Sequence, residues 1–467
     1  MFNMKSIFKN NKIHKYFTWQ FKYIDNKQEN LKKSIEEIQN SIVDIKQSEQ
    51  NIQQKLDIIC NLLENQSNQN NIMLERTKQF EYINTELLKL KAVSKGKILL
   101  VGFYGAPNTG DELMLQALLN KLDFEKNDIT VMVADNPNYN IIKKYNVNYI
   151  HYPKTNMDIN MISGYFDKII FGGGAMIDDF EYDNPLAYKY NTPNILLELS
   201  IKAIYNKKEI YCIGLSSNSY ITNRRYINDL EFLIKNANYF SLRDENSKKT
   251  LINAKVNGAE KILITDDIVY SLPKIKYQPN TSSFTLGLVL VGFAEKEKLI
   301  NILQACDIFI TQNSNLKNCK ILLIPFYDYC NSDIIEYNKI VNHSNISSNV
   351  EILNYEHEYE KLMEQFKLCN ILVCMRYHSS LLALKSGIPA VHIVYDVHRH
   401  YENKMNYLKQ QYGYNETYLS FKEITQDNII NSLNFVLNNY EELHENYKQI
   451  SSKFEERSTK ELMEILP

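Results

Sequence analysis

From Lys97 onward, short apolar runs alternate with stretches of helical pattern, and this alternation constrains the fold more than any other feature of the chain. Lys97–Phe103 (KILLVGF), Ile129–Ala134 (ITVMVA), Lys168–Phe171 (KIIF) and Glu209–Gly214 (EIYCIG) read as strands buried on both faces. Helical patterns follow Asp111, Pro193 and Arg224. A second series begins at Phe284 (FTLGLVLVGF) and continues through Lys320–Pro325 (KILLIP), Ile371–Met375 (ILVCM) and Ala390–Tyr395 (AVHIVY). Strands separated by helices demand right-handed crossovers and parallel sheets. The expected architecture is α/β, two Rossmann-like domains in succession with a boundary near Ser271–Pro279. At 467 residues the chain exceeds what one core supports. The tail from about Phe421 to Leu466 reads as helical, in a position to cross back onto the first half.

Two zones precede the alternation. Residues 1–23 are basic and aromatic, with Phe2, Phe8, Tyr16, Phe17, Trp19, Phe21 and Tyr23 among lysines and no acid. Such a segment could lie on an anionic membrane face, but it lacks a clear amphipathic period, and a plain basic tail is the alternative. The second zone, 24–95, carries a heptad: Leu31, Ile35, Ile38, Ile42, Ile45, Ile52, Leu56, Ile59 and Leu63 step by four and three, with Glu49 polar in the seam. A stripe of this period needs a partner helix, so residues 31–63 predict an N-terminal coiled-coil helix that makes the protein a homo-oligomer. The alternative is an amphipathic helix packed on its own chain. Domains are accordingly expected at 1–23, 24–95, 96–275, 276–420 and 421–467.

Bulk properties exclude several classes. A net charge of −2 gives no electrostatic case for nucleic acid. Seven cysteines with no Cys-x-x-Cys pair read as buried thiols of a reducing compartment. Lys5, Lys9, Lys12 and Lys15 interrupt any secretory apolar stretch, and no run is long enough to span a bilayer. A cytoplasmic location is expected, with membrane association on the cytoplasmic face open.

The chemistry-bearing residues cluster at strand ends, where open α/β sheets bind ligands. Gly102–Glu112 (GFYGAPNTGDE) follows the first strand. Gly105 and Gly110 permit close backbone approach, and Asn108, Asp111 and Glu112 stand at the start of the following helix. Asp111 as a plain helix cap is the competing reading. Phe171–Asp179 (FGGGAMIDD) supplies Gly172, Gly173 and Gly174 at another strand end. In SLRDENS, Arg243 offers a planar fork to a carboxylate or phosphate, or else an ion pair with Asp244 or Glu245. Arg376 and His378 close the strand ILVCM and, two apart on a strand end, are expected to point the same way.

These segments, in this order, resemble the polysaccharide pyruvyl transferase family. Gly102–Glu112 resembles its glycine-rich opening with Gly-Asp-Glu, FGGGAMIDD its glycine triplet and SLRDENS its Ser-x-Arg-Asp-Glu. IPFYDYCNSD resembles its Pro-Phe stretch, and MRYHSSLLALKSGIPAV its Arg-x-His with trailing Gly-x-Pro. The resemblance spans about residues 97–400 and covers neither the tail nor the heptad. It implies a fold similar to GT-B glycosyltransferases with the active site between the two Rossmann-like domains. Phosphoenolpyruvate would be the donor and a sugar or polysaccharide the acceptor, with no metal and no cofactor. Arg243 and Arg376 would bind the donor, and His378 would act as general acid/base. Asp111 is assigned to orienting acceptor hydroxyls.

Three departures fall on loops: GLSSNSYITN replaces a turn that ends in Gly-Pro, Val397-His398 replaces Pro-Lys, and Pro107 replaces a glycine. They bear on the acceptor more than on the fold. A nucleotide-sugar glycosyltransferase, and a coiled-coil scaffold with a degenerate catalytic half, are the alternative functions.

Overall fold

The computed structural model describes residues 22, 26–33, 83, 86, 87, 90, 96–134, 140–179, 182, 192–217, 220–328, 332–395 and 399–466. The chain separates into a unit of residues 1–78 and a unit of residues 79–467. In the first unit, residues 26–33 are helical. The tail apart from Lys22, and the heptad positions from Ile35 to Leu63, lie outside the described residues.

The second unit holds two parallel sheets. The first contains β1 (Gly96–Val101), β2 (Asn127–Val133), β3 (Asn148–His151), β4 (Lys168–Ile177), β5 (Glu209–Ser217), β6 (Tyr239–Leu242) and β7 (Leu263–Ile264) in the order β3-β2-β1-β4-β5-β6-β7. The second contains β8 (Thr285–Val289), β9 (Lys320–Leu323), β10 (Asn349–Ile352), β11 (Ile371–Cys374), β12 (Ala390–Val394) and β13 (Tyr418–Ser420) in the order β10-β9-β8-β11-β12-β13. Both orders reverse direction once, at β1/β4 and at β8/β11, and doubly wound sheets bind ligands at that reversal. The short strands β3, β7, β10 and β13 are edge-ward pieces whose few residues carry little apolar signal.

The continuous apolar runs arise because each strand is covered on both faces. Ile98 and Leu100 of β1 enter one core, while Leu99 and Val101 enter the other. Contact with the first half begins earlier in the chain than the change of texture at Lys97 suggests. Ile83, Leu87 and Leu90 are buried in that second core, and Glu86 Oε1 lies 2.6 Å from His151 Nδ1.

The helices that matter for the site are α1 (Thr109–Leu119), α2 (Asn140–Tyr145), α3 (Asn156–Tyr165), α4 (Thr192–Tyr205), α5 (Arg224–Asn236) and α6 (Glu245–Asn253) in the first half. The second half adds α7 (Lys296–Gln312), α8 (Asp333–His343), α9 (Tyr359–Lys367), α10 (Tyr377–Ser386) and α11 (Arg399–Tyr412), then α12 (Gln426–Asn438) and α13 (Tyr440–Ile465). The last helix does cross back: its Arg457 pairs with Asp266 at 2.8 Å, and Tyr239 donates to its Glu461 at 2.5 Å. Among the described residues no helix is long and apolar enough to cross a membrane. Cys212, Cys306, Cys369 and Cys374 are buried free thiols.

Candidate active site

The loop after β1 is tied to the second half before α1 starts. Thr109 N–H donates to the Phe326 carbonyl at 3.0 Å, and Asp328 N–H to that of Pro107 at 3.0 Å. Along α1, Thr109 Oγ1 donates to the Glu356 carbonyl at 3.1 Å and Gln116 Nε2 to that of His357 at 2.8 Å. The helix is built from Glu, Leu, Met, Gln and Ala, all good helix formers, with Asp111 and Glu112 in its favourable first turn. Its N-cap is Asn108, and Asp111 is the third helical residue, so Asp111 does not cap the helix. Asn108 instead donates from Nδ2 to Asp111 Oδ2 at 2.6 Å.

Gly110 explains its own identity. A Cβ there would sit 2.1 Å from Nδ1 of His378, so only glycine lets the imidazole lie against the first turn of α1. The triplet after β4 divides by role. A Cβ at Gly172 would strike Leu118, and one at Gly173 would strike Met114, so these two glycines admit α1 onto the sheet. Gly172 also accepts the Tyr104 hydroxyl at 2.7 Å. Gly174, with φ +85°, is the member that faces Asp111: its Cβ would stand 3.6 Å from Oδ1. Gly105 donates its N–H to Glu112 Oε1 at 3.1 Å, while Glu112 Oε2 has no partner among the described residues.

Arg243 leaves the end of β6 and is only 2% exposed. The ion pair with Asp244 that the sequence allows is present at 3.7 Å from Nε, whereas the nearer carboxylate is one the sequence reading passed over: Asp267 Oδ2, 3.0 Å from Nη1. The guanidinium also lies 4.6 Å from the centre of the Tyr377 ring, which supplies the π face such a cation favours. Asp244 caps α6 by accepting the Ser247 N–H at 2.7 Å.

Arg376 and His378 do not share a strand end. β11 stops at Cys374, Arg376 is the extended N-cap of α10, and His378 stands on its first turn. The period-two argument therefore fails, and the two side chains diverge. Arg376 donates from Nη2 to Asp333 Oδ1 at 2.7 Å, within the second half. Asp333 also accepts the N–H groups of Gly292, Phe326 and Tyr327, so the arginine is anchored on a fully buried carboxylate between the rings of Phe293 and Tyr327. His378 turns to the first half, with Nε2 3.4 Å from Asp267 Oδ2.

The electrostatics follow from this convergence. Burial alone would raise the Asp267 carboxyl, but His378 and Arg243 outweigh it and hold Asp267 well below the usual range. Burial pushes Asp111 up to about 6, with His378, Lys404 and Arg243 limiting the rise. Burial drives Glu112 well above its ordinary value, against the pull of the hydrogen bond from the Gly105 N–H. Lys404 was not singled out from the sequence. It lies on α11, one turn before Tyr407, and burial with the neighbouring Arg243 lowers it to about 7 against the pull of Asp111, Asp244 and Asp267. No local motif marks it, because helix α11 follows the altered loop after Tyr395. Among the described residues no His, Cys, Asp and Glu cluster is arranged to hold a metal ion. The site thus offers an imidazole beside the Asp267 carboxylate and near enough to Asp111 to lower its carboxyl, with cations from both halves close by.

A family model for polysaccharide pyruvyl transferase matches residues 108–397. No curated protein sequence matches the chain. Among solved structures, a glycosyltransferase from Rickettsia africae ESF-5 has a TM-score of 0.52 at 8% identity, covering 79% of this chain and 96% of its own. A UDP-N-acetylglucosamine 2-epimerase from Listeria monocytogenes has a TM-score of 0.51 at 10% identity, covering 79% of this chain and 95% of its own. At these identities the likeness concerns the fold, a GT-B-like pairing of two Rossmann-like halves.

Proposed function

Because the chain belongs to the polysaccharide pyruvyl transferase family, we propose that it moves the pyruvyl group of phosphoenolpyruvate onto hydroxyls of a cell-surface polysaccharide or its precursor. The observation that carries this reading is the meeting of Arg243 from one half and His378 from the other on Asp267. Ketal formation needs a proton at the methylene carbon of the donor, which becomes a methyl group. Positive charge develops at the neighbouring carbon, where an acceptor hydroxyl adds. The carbon–oxygen bond to phosphate then breaks, inorganic phosphate leaves, and a second hydroxyl closes the ketal. Of the two hydroxyl protons, one balances the proton given to carbon and the other leaves with phosphate.

His378 is suited to moving those protons because its Nε2 lies 3.4 Å from the Asp267 carboxylate, where the two halves meet. Asp111, at about 6, can hold a hydroxyl or accept its proton near neutrality. Arg376, with 12% of its side chain exposed, and Lys404 supply positive charge for the donor's carboxylate and phosphate. Arg243, expected from the sequence to bind the donor, is 2% exposed and engaged by Asp267 and the Tyr377 ring, and acts through them rather than on the donor directly. Closure of the cleft orients donor and acceptor, a contribution on the order of several kcal/mol in such reactions. The heptad of residues 31–63 would gather several sites on one oligomer, which suits a polymeric acceptor.

The test is a thermal-shift titration with phosphoenolpyruvate on wild type, Arg376→Ala and His378→Ala, followed by phosphate release with a panel of sugar acceptors. Stabilisation of the wild type that Arg376→Ala abolishes, and phosphate release only when acceptor is present, are the expected results. Stabilisation by a nucleotide sugar and none by millimolar phosphoenolpyruvate would overturn the reading.

A further inference from the structure

Asp266 stands immediately before the shared carboxylate, and its backbone is in the left-handed region with φ +64°. Aspartate tolerates that conformation better than most residues with a Cβ, yet at a cost in strain that its surroundings must offset. Here they do. Asp266 is 3% exposed, Tyr407 donates its hydroxyl to Oδ1 at 2.9 Å, and Arg457 donates from Nη2 to Oδ2 at 2.8 Å. Both donors come from late in the chain, Tyr407 on α11 and Arg457 on α13.

These two helices, together with α10, hold the rest of this segment. Ser458 Oγ donates to the Asp267 carbonyl at 3.5 Å, Lys385 Nζ donates to the Tyr270 carbonyl at 2.9 Å, and the Tyr270 and Tyr412 hydroxyls lie 3.0 Å apart. On the upstream side, Thr265 N–H donates to the Leu242 carbonyl at 3.0 Å, which fixes the segment to the first sheet. Asp266 is where the two attachments meet. Its side chain goes to α11 and α13, and the next side chain goes to Arg243 and His378.

We infer that Asp266 is a positioning residue, through which the C-terminal helices set the Asp267 carboxylate between Arg243 and His378. Docking of α11 and α13 thereby becomes a condition for the His378 pair to form. The inference rests on the proposed working role of His378, and its test includes a readout that needs no turnover.

The experiment follows diethyl pyrocarbonate modification of His378 in the full-length protein by peptide mass spectrometry, with His343 on α8 as the internal control. Losing one well-made hydrogen bond typically shifts an equilibrium by about tenfold. Asp266→Ala is therefore expected to expose the imidazole and speed His378 modification by about tenfold, with His343 unchanged. Asp266→Asn, which still accepts from Tyr407, should restore most of the protection. Tyr407→Phe removes a single hydroxyl and should act in the same direction, which covers the case in which Asp266→Ala does not fold. Wild-type protection of His378 in Asp266→Ala and Tyr407→Phe would overturn the inference. In parallel, phosphoenolpyruvate-dependent kcat should fall while the acceptor KM holds. A wild type with no such turnover would sink the proposed reaction, and the modification rates would still decide the role of Asp266.

Discussion

Arg243 and His378 approach one and the same oxygen, Asp267 Oδ2, at 3.0 and 3.4 Å. Arg243 ends a strand of the first sheet, and His378 begins a helix of the second half. A carboxylate shared in this way couples the two halves electrostatically, and it is the nearer of the two carboxylates that pair with Arg243. It also explains why a buried guanidinium is tolerated: Asp267, Asp244 and the Tyr377 ring surround it.

Removing the shared carboxylate should therefore cost stability as well as activity. Asp267→Ala leaves Arg243 buried with only the longer Asp244 contact, and breaking a buried pair costs about 3–5 kcal/mol. Urea unfolding checks this. Asp267 is held below its ordinary range in the folded protein, so its contribution is present above the unfolded value of 3.8 and is lost as the pH falls beneath it. The difference between wild type and Asp267→Asn should shrink accordingly on acidification below about pH 4.

Gly110→Ala is expected to separate folding from function. Alanine is the better helix former by about 1 kcal/mol, so the helix itself does not suffer. The new Cβ would stand 2.1 Å from His378 Nδ1, and the imidazole must move. A displacement of that size typically costs about a hundredfold in rate. Steady-state turnover beside a thermal melt reads both effects. A fully active variant would show that His378 works from another position.

The fold was legible because buried parallel strands write themselves as uninterrupted apolar runs, as in Lys97–Phe103 and Ala390–Tyr395. The short strands β7 and β13 left no such trace. Arg243, Arg376, His378 and Asp111 could be picked out at strand ends from their chemistry. Their partners could not, because Asp267 and Asp333 are met only through tertiary contacts 24 and 43 residues away in sequence. The strand-end rule misdirected Arg376 and His378, since one extra residue past Cys374 converts the strand into a helix start. Lys404 sits on a helix rich in polar residues, Lys409 among them, and nothing in its local sequence sets it apart.

The pH response of Asp111 has a definite sign. Burial raises its carboxyl from 3.8 to about 6, so the protonated form is the one the folded state favours. That preference is fully present below pH 3.8 and disappears as the pH rises through about 6. Asp111→Asn lacks this titration and should gain on wild type over that window by about 2 kcal/mol, less than full linkage because Asp111 keeps some solvent contact. Chemical unfolding of both proteins at pH 4 and pH 7 measures it. An unchanged difference would mean that Asp111 ionises freely.

Lys404 should report whether the donor lies beside α11. In the folded protein burial and Arg243 lower its amine from 10.5 to about 7, so part of the population is uncharged at pH 7.5. A multiply charged anion placed next to it favours the ammonium form, and binding then takes up protons from solution. Calorimetric titration of phosphoenolpyruvate at pH 7.5 in buffers of different ionisation enthalpy counts them. Wild type should take up a substantial fraction of one proton, and Lys404→Arg, charged throughout, should take up correspondingly less. Lys404→Met should bind about tenfold more weakly or worse, for loss of one charge-assisted contact. The same depressed amine destabilises the empty protein as the pH falls from 10.5 through about 7, so Lys404→Met should be the more stable protein at pH 6 and the two should converge in alkali. Equal proton uptake by wild type and Lys404→Arg would place the donor away from α11 and leave its charge to Arg376.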